Sequence, residues 1–218
     1  MGNRLAPASP ETSRRNLLLN AMADKAERES MRFMAFCADR LVLHLNPSAG
    51  DKILDAACGV GALTLAASQA VGPFGRVVAI DSADNMLASL DAKVRQFGIV
   101  NIDMHSMDAA QLDFWRDYFQ HVVCALRLCW LSDPRAACAE WVRVTRPGGS
   151  VNLAVLAPQA FQPQASLLQQ RVARLVGSSS ASLPWAHLAS PDVLRSLLAD
   201  AGLVDVRVHS EQLGYHSE

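Results

Sequence analysis

Two acids and two glycines carry most of the chemistry legible in this sequence. In Ile53-Leu54-Asp55-Ala56-Ala57-Cys58-Gly59-Val60-Gly61-Ala62-Leu63 an apolar run ends in a glycine turn, and a helical pattern follows. Glycines at such a turn let backbone approach a ligand with no Cβ in the way, and the next helix points its N-terminus at that ligand. Val78-Ala79-Ile80 then runs into Asp81, twenty positions beyond Gly61. At that offset an acid meets ribose hydroxyls in dinucleotide folds. Strand, glycine turn, helix, strand and terminal acid together indicate an adenosine-type ligand. Asp55 stands at the mouth of the turn. A carboxylate there repels a pyrophosphate but suits a ligand carrying an ammonium and a sulfonium. Met107-Asp108-Ala109 follows a third strand pattern, where Asp108 can accept from an adenine amino group or, equally in kind, cap a helix. Met86 shares helical spacing with Leu87 and Leu90, which fits core packing as well as adenine contact.

A sulfonium methyl is already reactive, so displacement at it asks for positioning and exclusion of water. A general base is needed only where the acceptor must first lose a proton. The sequence therefore designates no catalytic residue, and no metal-ligating set is expected. His187 and Trp185 fall in an irregular stretch; His187 is a candidate base, although a lone loop histidine is more often simply solvated. Arg127 and Trp130 follow the fourth strand pattern and face either the acceptor or, the preferred reading for Trp130, the core.

These residues require elements to hold them. Ser9-Pro10-Glu11 reads as a helix start, and Met31, Met34, Ala35, Ala38, Leu41, Val42 and Leu45 recur at helical spacing, so residues 1–50 form a helical segment. From Lys52 strands and helices alternate. Strands are expected at 53–54, 77–80, 101–105, 122–126 and 151–156, with helices after 63, over 84–97 and from Asp133-Pro134 to Val144. Such alternation implies a parallel sheet with right-handed crossovers. Residues 157–189 break the rhythm with Ala, Gln, Ser and Pro. They are expected to hold one helix (167–176) within a mobile cover inserted into a domain spanning 51–218. Ser190-Pro191-Asp192 then caps a helix through Leu197, Leu198 and Ala201, and Val204, Val206 and Val208 alternate as in a strand.

Asp55-Ala56-Ala57-Cys58-Gly59-Val60-Gly61, Asp81, Met107-Asp108 and Arg146-Pro147-Gly148-Gly149 resemble the motifs of class I S-adenosylmethionine-dependent methyltransferases of the ubiquinone/menaquinone-biosynthesis type. The resemblance covers residues 51–149 well and those after Ser190 more loosely. It implies an α/β Rossmann-like three-layer sandwich with a mostly parallel sheet, S-adenosylmethionine as cofactor, and a small quinone-, lipid- or polyketide-like acceptor. It also implies roles. Asp55 and Gly59 would serve the methionine end, Asp81 the ribose, and Met86 and Asp108 the adenine, with Ala125 lining the pocket and Ala57, Gly61, Ser82, Met107 and Ala109 completing the cofactor site. Ala57 stands where many members have glycine. Arg146-Pro147-Gly148-Gly149 reads as a structural turn. The family's seventh strand has no counterpart after Val208, so an open edge at 204–208, flanked by apolar Leu194, Leu197 and Leu198, is expected to invite self-association.

Composition narrows the remaining classes. The chain has 218 residues, half of them hydrophobic, and a net charge of −1 from 20 basic and 21 acidic residues. No basic block displaces counterions, so no nucleic-acid partner is expected. No apolar run reaches the length of a membrane span. Ser13-Arg14-Arg15 imitates an export signal, but its apolar stretch, 17–19, is too short. Five cysteines without a C-x-x-C pair read as reduced thiols in a cytoplasmic protein. Two rivals remain: a nicotinamide-dependent oxidoreductase, disfavoured by Asp55, and a non-catalytic relative acting as a partner protein.

Overall fold

The computed structural model describes residues 31–176, 185–188 and 190–212. Helix α1 (Met31–Leu45) precedes strand β1 (Lys52–Ala56), α2 (Ala62–Val71), β2 (Arg76–Asp81), α3 (Asp84–Phe97), β3 (Ile102–Ser106) and β4 (Phe119–Ala125). Helix α4 (Pro134–Val144), β5 (Thr145–Ala154), α5 (Gln164–Val176) and α6 (Pro191–Asp200) complete the order. The five strands form one sheet in the order β3-β2-β1-β4-β5, every pair parallel. The chain order reverses between β1 and β4, and at such a switch point the strand ends open a crevice for a ligand.

Apolar runs dictate this sheet because each central strand is covered on both faces. Leu54, Ile80, Val122 and Cys124 face one core with Leu128 and Trp141 of the β4–α4 region. Ile53, Val77, Ala79 and Val123 face the other core, with Ala67 and Val71 of α2 and Leu41 and Leu45 of α1. Each fully buried aliphatic side chain contributes roughly 1.5–3 kcal/mol. The sheet is therefore held as one rigid frame under the turns at its C-terminal edge. Buried polar pairs fix the joints. Asn101 donates to the carbonyls of Ser68 (3.0 Å) and Gly72 (2.9 Å), satisfying the end of α2, while Ser68 Oγ donates to Asn101 Oδ1 at 2.8 Å.

Several expectations hold. Asp84–Phe97 is the helix its spacing predicted, ended by Gly98 at φ 62°. Asp133 accepts from Ala136 N at the start of α4, the cap foreseen with Pro134. Pro147, Gly148 and Gly149, expected as a turn ahead of a strand at 151–156, instead lie inside β5 at a register break, where five β5 residues advance against two of β4. A Cβ on Gly149 would strike the carbonyl oxygen of Gln120, so only glycine fits there. The helix start expected at Ser9-Pro10-Glu11 lies outside the described residues.

Two expectations are corrected. Residues 204–208 form no strand. Asp205 has φ 56°, incompatible with extended backbone, and its carboxylate is tied to Arg207 at 2.6 Å. The segment instead passes back to α1, where Glu211 accepts from Arg40 Nη2 (2.7 Å) and Nε (2.8 Å) and pairs with His44 (2.7 Å). The expected association through an edge at 204–208 therefore lacks its strand; the sheet's edges are β3 and β5. Leu194, Leu197 and Leu198 are buried in the core and form no apolar surface.

Candidate functional site

The turn after β1 is built from left-handed backbone. Ala57, Gly59 and Gly61 have φ of 58°, 57° and 88°. Glycine adopts this conformation freely, whereas Ala57 bears a cost of roughly 1–2 kcal/mol. The first position of the motif thus keeps the glycine conformation without the glycine. A Cβ on Gly61 would collide with the Leu90 side chain of α3, and one on Gly59 would stand 2.7 Å from Arg127 Nη2. The turn is clamped from behind, because Lys93 Nζ donates to Val60 O at 2.8 Å from a buried position on α3. Met86, Val60 and Ala83 make a small apolar cluster beside it.

Asp81 ends β2 next to this turn. Its Oδ2 accepts from Gly59 N at 2.8 Å and its Oδ1 from Ala83 N at 2.9 Å. The acid thereby joins the β1 and β2 turns side by side, as the alternation predicted. Asp55 lies deeper. It is 1% exposed and accepts from Thr64 Oγ1 at 2.6 Å. Burial pushes its carboxyl up to about 7; the Asp81 charge adds to this, and the Thr64 bond and Arg127 oppose it. Burial likewise raises the Cys58 and Cys124 thiols, which are protonated and poor nucleophiles at neutral pH.

A pocket opens above the switch point. Ala57, Gly59, Asp81, Ser82 and Met86, from the β1 and β2 turns and α3, form one wall. Arg127, Trp130 and Leu131, from the segment after β4, form the wall opposite. The structure thus brings five of the expected residues together. Asp55 stands behind the turn, and Gly61 supports it against Leu90. Met107 and Ala109 pack against the core, and Trp141 Nε1 holds Ala109 O at 3.0 Å. Asp108 Oδ1 accepts from Ala110 N at 2.9 Å within a turn, and no helix starts there for it to cap. Ala125 is buried at the end of β4.

Trp130 is a correction. It is 38% exposed at the pocket and is not a core residue. His187 is exposed on the short 3-10 turn Ala186–Leu188 and does not line this pocket among the described residues. Thr64 and Lys93 were missed. Neither falls in a recognisable motif; Lys93 reads as a surface lysine of α3 and is distinguished only by its place opposite the turn.

The strand–turn–helix cradle, the acid at the end of β2 and the glycines that a Cβ would block fit the adenosyl and methionine portions of a nucleoside-type methyl donor. A methyltransferase domain model matches residues 53–149. The chain is 30% identical to the demethylmenaquinone methyltransferase of Geobacillus stearothermophilus over 182 residues, covering 78% of each chain. It is 27% identical over 209 residues to the nocamycin O-methyltransferase of Saccharothrix syringae, covering 90% of this chain and 75% of that one. A SAM-dependent methyltransferase structure from Aquifex aeolicus superposes with a TM-score of 0.60 at 19% identity, covering 74% of this chain and 87% of the other. Fold and pocket define a class: Rossmann-like proteins that take an adenosyl cofactor at the ends of β1 and β2. Within that class the chain belongs to the S-adenosylmethionine-dependent methyltransferases, with S-adenosylmethionine as its cofactor. No helix among the described residues is long and apolar enough to cross a membrane.

Proposed function

We propose that this methyltransferase acts on a small quinone-, lipid- or polyketide-like acceptor held between the β4–α4 wall and residues 157–189. The observation that carries the reading is a cluster of aromatic rings that includes the described part of that segment. Phe161 meets Phe33 of α1 edge-on at 5.5 Å and Trp185 at 6.0 Å. Trp185 Nε1 is buried without a hydrogen-bond partner among the described residues. Rings with one unpaired N–H suit a flat molecule that bears an oxygen. The names of two relatives, a demethylmenaquinone and a nocamycin O-methyltransferase, agree with acceptors of this size.

The bound donor supplies an electrophilic methyl group on sulfur. This chain's residues position it and keep water away. Asp81 and Ser82 are assigned to the ribose, since the β2 carboxylate lines the pocket with its orientation fixed by two backbone N–H groups. Ala57 and Gly59 present backbone to the methionine portion, and Gly61 keeps the turn's shape. Asp55 acts from behind the turn as a buried, protonatable charge that favours a cationic ligand. Met86, Met107, Asp108, Ala109 and Ala125 are assigned to the adenine side and pocket floor. The organisation as an N-terminal helical segment (1–50) and a methyltransferase domain (51–218) with 157–189 as an inserted cover belongs to the same proposal. Incubation with S-adenosylmethionine and a panel of quinols, phenols, enols, fatty acids and amines, read by mass spectrometry for a gain of one methyl group, tests it. Methylation confined to amines would refute it.

A further inference from the structure

Arg127 is placed with unusual care for a residue in a connecting segment. Leu126, just before it, has φ 59°, a conformation that costs a branched residue roughly 1–2 kcal/mol. That residue is locked by Leu126 N donating to Ala154 O at 2.8 Å. The turn sends the Arg127 guanidinium back across the pocket toward Gly59. There its charge is felt by Asp55 from β1, by Cys58 of the glycine turn, by Cys124 from β4 and by Cys129. Asp81 of β2 shares the pocket wall, with both carboxylate oxygens already accepting backbone N–H groups. Arg127 forms no ion pair among the described residues. It is a cation lining a pocket, its guanidinium available for an anionic ligand.

The carboxylate in the pocket, Asp81, has both oxygens engaged by backbone N–H groups, and among the described residues no His, Lys, Tyr, Glu or Cys lines it. An aliphatic alcohol would need a base to become a nucleophile. An amine would have to shed its proton beside a second positive charge. An acidic hydroxyl has neither difficulty, because it gives its proton to water and leaves an oxyanion that the guanidinium can hold. Trp130, part-exposed beside Arg127, offers an indole face to a flat ring.

We propose that Arg127 holds the acceptor as an oxyanion, so that the substrate is a planar phenol or enol and not an amine or an aliphatic alcohol. This rests on the methyl-transfer reading above and specifies its acceptor. The hydroxyl's proton goes to water, and the oxyanion held and oriented by Arg127 attacks the sulfonium methyl: the O–CH3 bond forms as the S–CH3 bond breaks, and its electron pair stays on sulfur in the neutral thioether product.

The test uses 4-nitrophenol, whose phenolate absorbs in the visible, titrated with pH in the complex of the full chain with S-adenosylhomocysteine. An opposite charge within about 4–6 Å lowers an acid's pKa by about 1–3 units. Bound probe should therefore ionise about 1–3 units below free probe in the wild type. Arg127→Gln should abolish the shift, leaving at least tenfold less phenolate at the same pH, and Arg127→Lys should restore part of it. A shift retained in Arg127→Gln would overturn the proposal, as would no saturable probe binding by the wild type. So would an Arg127→Gln variant whose affinity for S-adenosylhomocysteine falls tenfold while the probe's shift is kept, since Arg127 would then serve the donor. Failure of the wild type to bind S-adenosylhomocysteine would overturn the underlying methyl-transfer reading instead.

Discussion

Replacing Asp55 by asparagine should make the ligand-free protein more stable above neutral pH and flatten its pH dependence. The side chain is fully buried, and its carboxyl is raised from 3.8 to about 7, mainly by loss of water. Because the folded-state value is raised, the folded chain binds this proton more tightly than the unfolded chain. The associated stability is fully present below about pH 4 and is lost as pH rises through about 7. A shift of about 3 units corresponds to about 4 kcal/mol over the whole range, at about 1.4 kcal/mol per unit. Between about pH 5 and pH 8.5 the share expected is about 3 kcal/mol. Asparagine keeps the oxygen that accepts from Thr64 Oγ1 and carries no charge to desolvate. Urea unfolding of both proteins at the two pH values, without ligand, measures the difference directly. Wild type should lose about 3 kcal/mol more than Asp55→Asn on going to the higher pH. Parallel losses in the two proteins would refute the assignment of a desolvated, buried carboxyl at this position.

Asp81→Ala should weaken S-adenosylmethionine binding at least tenfold by calorimetry. It should also cost roughly 1–3 kcal/mol of stability for each of the Gly59 and Ala83 N–H groups left unpaired; unchanged affinity would remove Asp81 from the site. Gly61→Ala forces a left-handed φ of 88° on a residue whose Cβ meets Leu90. Its melting temperature should fall by several degrees, roughly that expected of 1–3 kcal/mol. Lys93→Met loses the bond to Val60 O, and hydrogen exchange should report faster opening of residues 58–61 with the sheet unchanged. In the wild type, residues 157–189 should exchange faster than the sheet if they act as a cover; equal protection would make them a fixed part of the scaffold.

The fold was legible where pattern and period agree. Val77 to Asp81 and Val122 to Ala125 are buried on both faces, and such strands show as unbroken apolar runs. Asp84, Asp133 and Gly98 mark helix ends by local chemistry that tertiary contacts did not override. The alternation at Val204, Val206 and Val208 misled because period-2 hydrophobicity says nothing about a hydrogen-bonding partner. Asp205 turns the backbone out of the extended region, and Val204 is 88% exposed. The wall made by the β1 and β2 turns was legible because glycine turns and terminal acids are local in sequence. The opposite wall was legible only as two candidates, Arg127 and Trp130, whose facing was left open. Trp130 reads the same whether buried or facing a pocket, and the reach of Arg127 to Gly59 depends on a left-handed Leu126 that no composition rule foresees.

The central claim is that the pocket over Gly59 and Asp81 takes a cationic methyl donor and no dinucleotide. Isothermal calorimetry of the wild-type chain with S-adenosylmethionine, S-adenosylhomocysteine and NAD tests it most directly. One S-adenosylmethionine or one S-adenosylhomocysteine should bind per chain, competing for a single site, with no heat from NAD. Saturable NAD binding, with none for the other two, would contradict it.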